Sequence, residues 1–106
     1  MCNKIFKEVL RLVSEETEIS PILIQSKSRL ADVVDARQMV VWFCHRAGMS
    51  PRTIADKIGI SRQAVCHKIA TIAYRRKLKS FEFMFKRVEL EYAQLFPNEG
   101  VQVTRK

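Results

Sequence analysis

The chain has 106 residues, a formal net charge of +8, 47% hydrophobic residues, three glycines, three prolines and three cysteines. That is room for one domain with a modest core, too much apolar content for a disordered chain, and a charge suited to a polyanion such as DNA, RNA or an anionic surface. No apolar run approaches the roughly 20 residues that span a bilayer, and no secretory segment opens the chain, so a cytoplasmic setting is expected.

Residues 3–16 place Ile5, Phe6, Val9, Leu10, Leu12 and Val13 at helical spacing, which predicts a first amphipathic helix. Thr17 to Ser20 interrupts it. Ser20-Pro21 opens a short helical turn whose Ile22 and Leu23 are expected to pack beneath it. Gln25 to Leu30, QSKSRL, reads as a basic loop. A second long helix is predicted from about Val34 to Ala47, with Ala36, Met39, Val40, Phe43 and Cys44 as its apolar face, Trp42 at its flank and Gly48 at its end. Ser50 and Pro51 suit the start of a short helix, in which Ile54, Ala55 and Ile58 share a face. Gly59 suits its C-terminal cap. Ser61 then caps a helix running to about Ala73, with Ala64, Val65 and Ile69 inward and Arg62, Gln63, His67 and Lys68 outward. Two short helices across a tight turn form the helix-turn-helix pattern. After the basic cluster at 74–77, Ser80 is expected to cap a last helix with Glu82 in its first turn. Phe81, Phe85, Val88, Tyr92, Leu95 and Phe96 mark its apolar side, and Pro97 stops it. The expectation is an all-α helix-turn-helix bundle of about five to six helices, one domain over 1–97 with a flexible basic tail at 98–106.

A helix of this kind docks in the major groove, where Arg suits guanine and Gln suits adenine, each through paired hydrogen bonds. Ser61, Arg62, Gln63 and His67 are therefore the candidate base contacts, with His67 equally suited to phosphate. Lys27 and Arg29 form a candidate flexible arm for phosphate or a minor groove. Arg37, Ser50, Arg52, Lys68 and Arg75 complete the candidate backbone contacts. Arg37 lies near a helix N-terminus, where a cation is disfavoured unless an anion answers it. Asp32, Asp35 or a phosphate can supply one. The plainer reading of these residues is a solvated face with two capping serines. No CxxC pair exists, and neighbours on a helix diverge by about 100°, so Cys44-His45 and Cys66-His67 do not predict a metal site. Cys44 and Cys66 read as small buried hydrophobes. Cys66 beside His67 is no nucleophile–base pair, and no glycine loop cradles a phosphate. Neither an enzyme, a metal nor a cofactor is expected.

The run RLADVVDARQMVVWFCHRAGMSPRTIADKIGISRQAVCHKIATI, with its ARQ triplet at Ala36 to Gln38, resembles the C-terminal DNA-binding domain of the bacterial replication initiator DnaA. The resemblance extends from about Ile5 to Tyr92. It implies a Trp-repressor-like helix-turn-helix whose basic loop reaches the minor groove and whose second motif helix reads short initiator boxes. Against the family pattern GRDHTTVLHA, Gly59, Val65 and His67 match, while Ser61, Arg62, Gln63 and Ala64 replace Asp-His-Thr-Thr. Ala31 stands where the family often has a second basic loop residue. These departures point to the same surface with a different target. The 106 residues hold no Walker motif, so ATP-driven origin melting is not expected of them. A free-standing protein and an excised domain both remain open.

Two classes of function follow: sequence-specific binding of double-stranded DNA, in replication or as a small transcriptional regulator, and a helical protein–protein interaction module. The second rests on Phe81, Phe83, Phe85 and Tyr92 in the last helix, which is also a candidate dimer face. Joint exposure of Phe83 and Met84 would make a patch there. RNA binding is a third, less favoured reading.

Overall fold

The computed structural model describes residues 2–96, and within them it is all-α. Six helices follow in order: α1 Cys2–Thr17, α2 Pro21–Ile24, α3 Ala31–Arg46, α4 Pro51–Ile58, α5 Arg62–Arg75 and α6 Lys79–Leu95. Pro97 and the expected tail at 98–106 lie outside the described residues.

Helix α3 packs against all five others. Its buried residues include Val33, Ala36, Met39, Val40, Val41, Phe43 and Cys44, so it is covered on nearly every side. It begins three residues before the expected Val34. Leu30 is its N-cap and supplies no side-chain hydrogen bond, while Asp32 occupies the first turn, where negative charge suits the helix dipole. Burial pushes the Cys44 thiol up to about 12. Cys66, by contrast, is exposed, which corrects the expectation that both cysteines are buried.

Helix α1 buries Phe6, Val9, Leu10, Leu12 and Val13 against this centre. In α2 the packed residue is Ile24, which is fully buried, whereas Ile22 is 81% exposed and Leu23 points largely to solvent. A single helical turn can aim only one of its three apolar side chains at α1 and α3, and the last one has that direction.

The motif helices are fixed by local chemistry. The Ser50 hydroxyl accepts from the Thr53 N–H, and Ser61 accepts from Ala64 at 3.0 Å. Gly59 has φ +86°, the left-handed conformation that a C-terminal cap requires. Ile54, Ala55, Ile58, Val65 and Ile72 are buried, while Ala64 and Ile69 are half-buried.

Helix α6 begins at Lys79 behind Leu78, so Ser80 is not its cap. The turn is held instead by Arg76, whose Nε and Nη2 donate to the two Glu82 carboxylate oxygens at 2.7 and 2.9 Å. The Arg76 guanidinium also lies 4.2 Å from the Phe85 ring centre. Phe81, Phe85, Val88 and Tyr92 face inward; Leu95 is exposed and Phe96 meets Tyr92 in a tilted ring pair at 4.6 Å. Phe85 and Tyr92 meet Phe43 of α3 at 5.1 and 5.0 Å, the spacing of favourable tilted ring pairs. Phe83 is exposed but Met84 packs against the core, so the two do not form a joint patch.

Two outcomes follow from this packing. Phe85→Ala should cost about 3–5 kcal/mol, a large share of the ~5–15 kcal/mol typical of a domain, and Phe85→Leu much less; denaturant midpoints check this. The Arg76 hydrogen bonds hold Glu82 below the usual carboxylate range. Its contribution is therefore complete above the ordinary carboxylate pKa and is lost as pH falls through the lowered one. Glu82→Gln should lower the melting temperature modestly at pH 7, by the equivalent of no more than ~1 kcal/mol, and the gap to wild type should close on acidification.

Candidate nucleic-acid interface

Helix α5 contains no acidic residue. Arg62, Gln63, Cys66, His67 and Ala70 are exposed along it, and their spacing places them on one stripe. Ser61 precedes them as the cap. Cys66 and Ala70 were not among the expected contacts, although the three-residue steps from Gln63 and His67 carry that signal. Arg62, Gln63 and His67 make no ion pair or side-chain hydrogen bond among the described residues, so their polar groups face solvent.

The basic loop is held on a frame of hydrogen bonds. Buried Arg37 donates from Nε to the Ile24 carbonyl at 2.9 Å, from Nη1 to Ser28 at 3.2 Å and from Nη2 to Ser26 at 2.7 Å. Ser26 Oγ donates to the Leu23 carbonyl and accepts from the Ser28 N–H, and Ser28 Oγ accepts from Leu30. Gln25 Nε2 donates to the Lys57 carbonyl, which fastens the start of the loop to the end of α4. Lys27 and Arg29 are left exposed on this frame.

Arg37 was expected to contact the DNA backbone, and the structure corrects that placement. It lies in the second turn of α3 with 6% of its surface exposed, and carbonyl oxygens answer its charge. Arg75 is similarly engaged: it pairs with Asp35 of α3 and lies over the Phe81 ring. Burial pushes the Asp35 carboxyl up against the pull of that arginine.

The residue after Arg37 holds the other element. Gln38 is 3% exposed and donates to the Lys68 carbonyl at 2.9 Å and to Thr71 Oγ1 at 3.1 Å. Thr71 in turn donates to the His67 carbonyl. The middle of α5 is thereby fixed to α3.

The loop and the start of α5 face each other across a cleft lined by Lys27, Ser28 and Arg29 on one side and by Gly59, Ser61 and Lys68 on the other. The structure therefore brings together Lys27, Arg29, Ser61 and Lys68, with Arg62, Gln63 and His67 on the adjoining face of α5. Ser50 and Arg52 sit at the far end of α4 and line no part of that cleft. Cys44 is buried and Cys66 exposed, so the two Cys-His pairs share no site. No group of three His, Cys, Asp or Glu able to hold a metal occurs among the described residues. No helix among them is long and apolar enough to cross a membrane.

Arg37→Lys should expose what this arginine does. One ammonium cannot serve three carbonyls, and the loss should reach about 2 kcal/mol. Amide hydrogen exchange at Ser28 and Leu30 should accelerate beyond the global change. Uniform acceleration across all helices would contradict a specific role in the loop.

With this geometry in place, comparison with known proteins gives one family. The model described as the bacterial dnaA protein helix-turn-helix matches residues 6–72, well over half the chain and all of α3, α4 and the cleft. Helix α6 lies beyond that span. No curated protein and no solved structure matches the chain. The chain belongs to the bacterial dnaA helix-turn-helix family.

Proposed function

We propose that this protein is a non-enzymatic, sequence-specific binder of double-stranded DNA that acts in the cytoplasm at the nucleoid. The observation that carries this reading is the exposed stripe of Arg62, Gln63 and His67 on α5 adjoining the cleft lined by Lys27, Arg29 and Lys68, none of these six in an ion pair among the described residues. Helix α5 enters the major groove, Arg62 and Gln63 read base edges, and the surrounding cations neutralise phosphates. Ser61 lends its hydroxyl or its helix-end position at the same place. The replacement of Asp-His-Thr-Thr by Ser61, Arg62, Gln63 and Ala64 favours a target other than the standard initiator box. A role in replication initiation or its control is the first reading within this class, and transcriptional regulation is the second.

One observation supports an added protein partner or homodimer. Phe83 and Leu90 stand seven residues apart on the outer side of α6 and are 65% and 68% exposed. Sedimentation of the DNA-bound protein separates one copy per site from two.

Selection from a randomised duplex library at two salt concentrations, with an initiator-box duplex as control, tests the main reading. A single enriched motif is expected. Binding without enrichment that vanishes as salt rises would remove sequence reading. On the selected site, Arg62→Ala should cost about 1–3 kcal/mol and relax preference at one position. Lys27→Ala should weaken binding to all sequences alike and reduce the salt slope by about 1. Equal effects of both changes on specific and random DNA would contradict this division of labour.

A further inference from the structure

We propose that the cleft between the 25–30 loop and α5 is a built seat for one phosphodiester of the DNA backbone, with the Lys68 ammonium as its donor. This inference rests on the DNA-binding reading and deepens it. A helix in the major groove has a sugar-phosphate backbone along each side. The element beside α5 on this side is the loop, so the cleft between them is where a strand passes. The cleft matches that occupant in charge. Lys27, Arg29, Arg37 and Lys68 all line it, and no carboxylate does.

Lys68 is distinct among these cations. Arg37 contributes charge, but its nitrogens are engaged with the carbonyls of Ile24, Ser26 and Ser28. Lys27 and Arg29 are exposed on the rim. Lys68 is half-buried in the wall, and its own backbone is fastened by Gln38. Burial, then the charges of Arg37 and Arg75, push its pKa below that of an ordinary lysine. Asp35 pulls the other way, but Asp35 is already paired with Arg75. Lys68 thus holds a positive charge in partly dry surroundings beside two other cations, without an ion pair of its own among the described residues. A phosphodiester oxygen entering the cleft supplies the missing anion, and the strength of such a contact rises with the exclusion of water. The fixed α5 backbone means that little ordering is needed to form it.

The test combines two changes in the full-length chain. Lys68→Met keeps the stem and removes the charge; Lys68→Arg restores it. The selected duplex is prepared with a single uncharged methylphosphonate at each backbone position in turn. Lys68→Met should lower affinity about tenfold on specific and random duplexes alike, and the salt slope should fall by about 0.9. Lys68→Arg should recover both. At one backbone position the methylphosphonate should already remove what Lys68→Met removes, so that the two losses do not add. Additive losses at every position would overturn the seat while leaving DNA binding intact. So would a variant with wild-type affinity and slope. Failure of the wild type to bind any duplex would overturn both readings. Inorganic phosphate alone, if it shifted the Lys68 and Ser28 resonances at millimolar concentration, would assign the cleft to a free anion and overturn the diester. Should Lys68→Met melt early, Lys68→Gln carries the same measurements.

Discussion

Two adjacent side chains on one buried helix hold both walls of the basic cleft in place. Successive residues on α3 point about 100° apart. Arg37 therefore reaches one way, to the carbonyls of Ile24, Ser26 and Ser28, and Gln38 reaches another, to the Lys68 carbonyl and Thr71. The spacing of the loop and α5 is set because both are bonded to neighbouring residues of the same rigid rod. Polar groups in so buried a place must find partners. Here the partners are backbone groups of the two elements that need positioning, so satisfying the core also sets the outer surface.

That arrangement requires α3 to stay where it is, and the rest of the fold sees to this. α1 and α6 close over one side of it, with Phe43 meeting Phe85 and Tyr92 across the seam. α4 and α5 cover the other. The family match ends at residue 72, before α6, yet α6 supplies four of the buried side chains. The aromatic seam seals a helix that carries Arg37 and Gln38 in its middle.

The sequence reads well wherever the physics is local. Ser50, Gly59 and Ser61 act within four residues of themselves, and each caps as expected. The apolar stripes of α1 and α4 are legible for the same reason. What was misread depends on distant partners. The start of α3 has no side-chain cap to announce it, because Leu30 is positioned by a loop that Arg37 organises. Ser80 looked like a cap until Arg76 and Glu82 took over the turn. Arg37 and Arg75 looked like free cations because their acceptors lie 9 to 13 and 40 residues away in sequence. The exposure of Arg62, Gln63, Lys27 and Arg29 was legible in advance, since among the described residues none of them has an ion pair to hold it against the fold. Cys66 was missed because cysteine is more often a core residue than a surface one.

The same contrast explains how a chain of net charge +8 directs its field. Its ion pairs gather away from the cleft: Arg11 with Glu8 and Glu15, Arg46 with Glu89, Arg76 with Glu82, and Arg87 with Glu16. These join or neighbour α1 and α6. Asp35 is the exception close to the interface, and it is matched by Arg75. Among the described residues, the cations without an acidic partner include Lys27, Arg29, Arg62 and Lys68 at or beside the cleft, along with Lys4 and Lys7 on α1, Arg52 and Lys57 on α4, Lys77 just before α6 and Lys79 at its start. Paired charges nearly cancel at a distance, so the far field of the molecule comes mainly from the unpaired ones. What sets the cleft apart is density: Lys27, Arg29, Arg37 and Lys68 line it together and no carboxylate does, so positive charge is concentrated there while elsewhere single lysines and arginines are spread over separate helices.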